Sequence, residues 1–251
     1  MTKSRIKNII FSVVKMQKLM SYVRSACEKY NMIEEGDMIA VGVSGGKDSI
    51  ALLYALAQMR RFYPKKYDIK AITLDPCFFD EESDFSYIEN LCEELGVEYV
   101  IKRTELWKVV FEDRKESNPC SLCARMRRGI LHDVAKEIGC NKLALGHHMD
   151  DAAETFMMNL FSGATIGCFS PVSYLSRKDL HMIRPMIFAR ETDVEKAIRH
   201  ARLSVVKSRC PVDKTTNREE MKNLLKSLKK ENSDPVEKIV SALQKSNIDR
   251  W

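Results

Sequence analysis

No apolar run in these 251 residues is long enough to cross a bilayer. The one short apolar group near the start, Ile9 to Val14, is followed by Lys15 and Lys18 and by no small-residue cleavage site. A signal peptide and a membrane anchor are therefore not expected, and the chain reads as cytosolic. In that compartment the eight cysteines are not a disulfide framework; they read as reduced thiols, metal ligands or catalytic sulfur. Low-complexity tracts and internal repeats are also missing, which excludes fibrous and solenoid architectures. With 45% hydrophobic and 30% charged residues, extensive disorder is excluded as well. The net charge of +6 is a small excess, gathered at Lys102-Arg103, Arg125 to Arg128 and Lys226 to Lys230. That distribution permits a polyanionic partner without requiring one.

A chain of this length can bury one substantial α/β core with small appendages. Apolar positions Ile6, Ile9, Ile10, Val13, Val14, Met20 and Val23 recur at helical spacing and predict a helix over residues 5–30. After a polar turn ending at Asp37, Met38 to Val43 is a continuous apolar run suited to a buried parallel strand. Helix is expected over 49–59, strand over 67–74, helix over 86–95 and strand over 98–102. Helix follows over 127–138, a short strand over 142–145, and then a helix through 158–160. Alternation of this kind predicts a doubly wound, mostly parallel sheet with right-handed crossovers. Residues 206–251 lack a clear strand, with helices expected over 218–229 and 236–243 about the Asn232 to Pro235 breaker. The expected division is an N-terminal helical segment (1–36), a nucleotide domain (37–205) and a C-terminal helical segment (206–251).

Ser44-Gly45-Gly46-Lys47-Asp48-Ser49 stands where the first strand ends and a helix begins. Gly45 and Gly46 let the backbone turn sharply and approach an anion. The following helix N-terminus, the hydroxyls of Ser44 and Ser49, and the Lys47 ammonium supply donors and positive charge. The eight-residue loop Gly-x-x-x-x-Gly-Lys-Ser/Thr is absent, because its first glycine is missing at the required offset. Asp48 within the loop suits a Mg²⁺ ion that would bridge phosphates.

Cys120 and Cys123 form the single Cys-x-x-Cys of the chain, followed at once by Arg125, Arg127 and Arg128, which are expected to lower thiolate pKa. With no second such pair for a four-thiolate site, a remote third cysteine is needed. Cys210, in the polar stretch Ser208-Arg209-Cys210-Pro211, ranks above Cys77 and Cys168; Cys27, Cys92 and Cys140 read as core cysteines. A second strand-to-helix junction reads Gly146-His147-His148-Met149-Asp150-Asp151-Ala152-Ala153-Glu154-Thr155. It sets Asp151 and Glu154 one turn apart on a face able to hold Mg²⁺. The bland alternative is an acidic helix start with histidines that cap the turn.

Together these motifs resemble the tRNA 2-thiocytidine synthetase family (TtcA) of the PP-loop ATP-pyrophosphatases. Arg184-Pro185-Met186 and Arg190-Glu191 extend the similarity, which spans residues 20–245. The resemblance implies ATP-dependent tRNA sulfurtransferase activity: adenylation of a base carbonyl, cytidine C2 in the anticodon loop, and replacement of oxygen by sulfur. It assigns Ser44 to Ser49 to pyrophosphate, places Gly146, His147 and Asp151 at the nucleotide, and gives Mg²⁺ to Asp48, Asp151 and Glu154. It also implies a [4Fe-4S] cluster on Cys120, Cys123 and Cys210 with one iron lacking a protein thiolate, so that Asp48 and these cysteines carry the chemistry. Members often have a further cysteine three positions after the third; this chain has Asp213, leaving Asp213 or an exogenous ligand for the open iron. Implied partners are tRNA and a sulfur donor, a cysteine desulfurase or sulfide, with a homodimer allowed and no membrane. Rival readings keep the loop but use persulfide chemistry, act on another tRNA base or a small molecule, or bind ATP and RNA without catalysis.

Overall fold

The computed structural model describes residues 3–114, 119–210, 217–229 and 234–251. Among these described residues six strands form one sheet in the order β3-β2-β1-β4-β6-β5. These are β1 (Asp37–Gly42), β2 (Tyr67–Asp75), β3 (Glu98–Arg103), β4 (Lys142–Ala144), β5 (Val172–Leu175) and β6 (Leu180–Ile183). All pairings are parallel except β5 with β6, where Val172 stands opposite Ile183 and Leu175 opposite Leu180. The expected doubly wound sheet is thus present, closed at one edge by an antiparallel strand.

Side-chain alternation assigns the two faces. Ile39 and Val41 of β1 join one core, with α1 (Lys3–Lys29), α2 (Lys47–Met59) and α6 (Glu191–Ala201). Ala40, between them, joins the other core beneath α4 (Pro119–Glu137), with Ile72, Leu143 and Val134. That period of two is what a strand covered on both faces requires. A third, smaller core holds α5 (Met149–Gly163) against α7 (Asn217–Lys229) and α8 (Pro235–Lys245), through Ala153, Met157, Leu225 and Val236. The C-terminal helices therefore pack on the helix that follows the second loop. Trp251, 5% exposed, fixes the tail by donating from its indole N–H to the Phe169 carbonyl at 3.0 Å.

Helix α3 (Ser86–Leu95) spans the residues expected of it, and its chain reverses at Gly96 with φ of 63°. Two expectations need correction. Helix α4 is described from Pro119, eight residues ahead of the expected start at 127, so Cys120 and Cys123 lie within it. The hairpin β5–β6 was not expected at all, being two four-residue strands about a charged turn, too short to show alternation.

At the amino end of the sheet, Lys142 and Asp37, 3% and 4% exposed, pair at 2.7 Å. Asn141 Nδ2 and the Glu34 N–H also donate to the Asp37 carboxylate. At the opposite, carboxyl end the strand order reverses between β1 and β4. Open α/β sheets bind ligands in that crevice, and both glycine-containing loops emerge there.

Candidate functional site

The first loop folds upon itself. Ser49 Oγ donates to the Gly46 carbonyl at 2.9 Å and accepts from the Ser44 N–H at 3.1 Å. Gly45 has φ of 87°, and a β-carbon there would meet Val206 Cβ at 2.8 Å. The Val206 N–H donates to the Gly45 carbonyl at 2.9 Å, so the strand of chain leading to Cys210 is hydrogen-bonded to the loop itself. Helix α2 begins at Lys47 with Gly46 as its N-cap, and no side chain caps it. Its first N–H groups are left to a ligand, and the helix end favours an anion.

The second loop is built differently. His148 caps α5: its Nδ1 accepts from the Asp151 N–H at 3.3 Å, and its own N–H donates to Asp151 Oδ2 at 2.8 Å. The capping expected as the bland alternative is therefore real for His148, which also keeps its Nε2 3.7 Å from Asp48 Oδ1. Its neighbour His147 packs on Phe169, and burial pushes its pKa down to about 4, leaving the ring neutral. Asp150 receives Arg190 Nε at 3.2 Å and one terminal nitrogen at 3.0 Å, together with the Glu191 N–H at 2.7 Å, tying α5 to α6. Arg184 holds the Ser170 carbonyl at 2.6 Å and lies over the Phe169 ring, which makes this segment a brace behind the loop.

Between the loops opens a cleft of about 380 Å³, within the size range of small-ligand sites. Lys47 and Asp48 line it from the first loop, and His148, Asp151 and Glu154 from the second. Cys120, Cys123 and Arg127 reach it from α4, and Cys210 reaches it from the C-terminal segment. Three thiols up to 90 positions apart in sequence thus line one cleft. The other five cysteines are elsewhere: Cys27, Cys92 and Cys140 are buried, the Cys77 thiol donates to the Asp75 carbonyl at 3.9 Å, and the Cys168 thiol donates to the Ala152 carbonyl at 3.4 Å. Burial pushes the Cys92 thiol up to about 12 and the Cys140 thiol up to about 11. The expected lowering of thiol pKa by the arginines is not what the geometry gives for Cys123. Burial raises it, Arg127 offsets only part, and the neighbouring Cys210 and Cys120 raise it further.

The acids around the cleft are unequal. Asp48 Oδ1 is buried without a hydrogen-bond partner among the described residues, while Lys47 approaches Oδ2 at 3.2 Å. Burial raises the Asp48 pKa against the opposing pull of His148 and Lys47. Asp151 already receives the His148 N–H and lies 3.4 Å from Arg218. Glu154, 4% exposed, stands 3.7 Å from Arg218; burial, with Asp151 beside it, pushes its pKa up to about 7. Among the described residues no three His, Cys, Asp or Glu side chains converge to hold a single metal ion. Of the three acids expected to take Mg²⁺, Asp48 presents the orphaned oxygen, a group that a cation would satisfy. Asp213 lies outside the described residues.

Over residues 15–228 the chain matches the PP-loop domain family. It belongs to that family, in its 2-thiocytidine synthetase branch. The tRNA-cytidine(32) 2-sulfurtransferase of Geobacter sulfurreducens is 37% identical over 233 residues, which cover 92% of this chain and 90% of that protein. The tRNA-cytidine(32) 2-sulfurtransferase of Syntrophotalea carbinolica is 39% identical over 215 residues, covering 84% and 82%. Among solved structures, the U34-tRNA thiolase NcsA from Methanococcus maripaludis, with its [4Fe-4S] cluster, superposes with a TM-score of 0.76 at 26% identity. That match covers 93% of this chain and 79% of NcsA. Among the described residues no helix is long and apolar enough to cross a membrane.

Two cations and one acid at the cleft of this PP-loop protein were not among the expected site residues. Arg218 and Lys222 of α7 line the cleft, as does Glu191, the first residue of α6. The spacing of four between Arg218 and Lys222 puts both on one helix face, a signal that was present in the sequence. Their target was not, because the packing of α7 on α5 is a tertiary fact.

Proposed function

We propose that this chain uses ATP to adenylate a base carbonyl of tRNA, cytidine C2 in the anticodon loop, and replaces that oxygen with sulfur. The observation that carries the reading is the meeting of Cys120, Cys123 and Cys210 in the cleft that also holds Lys47 and Asp48. Nucleotide-binding groups and sulfur-chemistry groups within one cleft of this size allow activation and substitution at the same atom without release. The names of the relatives and of NcsA point the same way.

In this reading the turn Ser44 to Ser49 and the open end of α2 receive the β- and γ-phosphates. Lys47 neutralises charge on them, and Asp48 turns its unpartnered oxygen to the Mg²⁺ that accompanies the triphosphate. The base oxygen attacks the α-phosphorus, pyrophosphate leaves, and the adenylated oxygen becomes part of a good leaving group. Sulfur attacks C2 and AMP departs. Gly146 and His147 back the nucleotide position, and Asp151 and Glu154 fix Arg218 at its edge. A [4Fe-4S] cluster, held by Cys120, Cys123 and Cys210, would supply an iron free of protein thiolate at which inorganic sulfide is presented. The donor set fits, with three free thiols lining one cleft and a basic neighbour, Arg127, to balance anionic charge. Residues 37–205 then carry the ATP chemistry, residues 206–251 bring the third thiolate, and residues 1–36 add the helix that packs on α6 and α2. A cysteine desulfurase or free sulfide is the donor.

The test is anaerobic incubation of iron-reconstituted protein with ATP, Mg²⁺, sulfide and tRNA, followed by nucleoside mass spectrometry. AMP and pyrophosphate release that depends on tRNA, with 2-thiocytidine in the digest, is expected. Nucleotide and tRNA binding without AMP release would overturn the catalytic reading.

A further inference from the structure

The lysine of the phosphate loop is already engaged, and by an acid that a second lysine shares. Lys47 Nζ lies 3.0 Å from Glu191 Oε1, and Lys222 Nζ lies 2.9 Å from the same oxygen and 2.8 Å from Oε2. The three heads belong to three elements, α2, α6 and α7, and all line the nucleotide cleft. Two ammonium groups converging on one carboxylate oxygen reproduce the surroundings of a bridging phosphate oxygen. Glu191 itself is fixed from behind, since its N–H donates to Asp150 at 2.7 Å.

We propose that Lys222 is a second phosphate-binding lysine of this cleft and that Glu191 holds the place of a polyphosphate until one enters. The inference rests on the ATP-using reading above and extends it to a residue of the C-terminal segment. A polyphosphate carries several charges where Glu191 carries one, so it outcompetes the carboxylate for both ammonium groups. Lysine acts toward phosphate as a movable point charge on a long stem, so Lys222 follows the anion without a shift of α7. Arg218, one turn earlier on the same face and 43% exposed, is held by Asp151 and Glu154 and keeps that face of α7 turned to the cleft.

The experiment is calorimetric titration of the full chain with inorganic pyrophosphate and with Mg²⁺–ATP, for wild type, Lys222→Met, Lys222→Arg and Glu191→Gln. Thermal melts identify variants that fail to fold, and Lys222→Gln, which keeps a donor for Glu191, serves in place of a misfolded Lys222→Met. Lys222→Met is expected to weaken pyrophosphate about tenfold, the loss of one charge-assisted contact. Lys222→Arg should stay within about threefold by keeping the charge, and Glu191→Gln should tighten binding about threefold by removing the competitor. A merely structural pair predicts the same sign for both partners, so opposite signs support the proposal and equal signs overturn it. Wild-type binding that Lys222→Met leaves unchanged overturns this inference alone. A wild-type chain that binds neither ligand overturns the proposed function with it.

Discussion

A β-carbon on Gly146 would stand 3.1 Å from the backbone carbonyl of Asp48, and 3.2 Å from the Ser49 nitrogen. The two loops of the cleft touch at that point, backbone to backbone. Backbone cannot yield as the end of a side chain can, so Gly146→Ala pushes the second loop away from the first. Overpacking of this kind costs about 1–3 kcal/mol, and here the strain falls on the ligand side of the sheet. The expected outcome is a folded protein with ATP affinity reduced about tenfold. An ATP titration beside a thermal melt checks it, and unchanged affinity would show that the loops move independently.

The cysteines divide by position. Cys210→Ser is expected to prevent iron and sulfide retention after anaerobic reconstitution, while Cys168→Ser and Cys92→Ser retain both. Pyrophosphate binding should survive in all three, because its donors come from Ser44 to Ser49 and the open end of α2. Full iron content in Cys210→Ser would remove the cluster from its proposed ligands.

Much of the first loop is legible in the sequence. The Ser44 to Ser49 turn lay where a parallel strand meets a helix, and its anion-binding geometry follows from glycine, serine and helix end alone. Polar context ranked Cys210 first as the remote third thiol and the resemblance made it a cluster ligand, but nothing in a Ser-Arg-Cys-Pro stretch encodes the position of a partner 87 residues away. Its physical cause is now visible: the Val206 N–H bond to Gly45 lays the segment along the loop. The early start of α4 escaped notice because Cys120 to Arg127 carries little apolar periodicity. Lys222 and Arg218 escaped for a different reason, that a basic helix face reads as solvated until its packing partner is known.

Away from the cleft, the buried pair of Lys142 and Asp37 at 2.7 Å gives a prediction about stability alone. Lys142→Met strands a carboxylate that is 4% exposed, and breaking such a pair costs about 3–5 kcal/mol. Adding Asp37→Asn removes the uncompensated charge and should recover at least half of that loss. Denaturant unfolding of the two variants measures both, and a double variant no more stable than the single one would contradict the account.

Glu154 and His147 set opposing pH dependences. Burial, with Asp151 adjacent, raises the Glu154 pKa to about 7 from its ordinary 4.5, so between these values the folded chain binds a proton that the unfolded chain has released. Stability therefore falls as pH rises through that window. His147 is depressed to about 4 from 6.5 by burial, so between those values the unfolded chain binds the extra proton and stability falls as pH drops. From about pH 4.5 to 6.5 the two slopes oppose one another, and above pH 6.5 the Glu154 slope acts alone until it ends near 7. Glu154→Gln deletes one slope: the variant should gain roughly 1–3 kcal/mol over wild type at pH 8 and show no gain at pH 4. Its stability should climb steadily from pH 4 to 6.5 as the His147 contribution is exposed. Urea unfolding at intervals of half a pH unit reads this directly, and a variant curve parallel to wild type across the range would mean that folding leaves the Glu154 pKa unshifted.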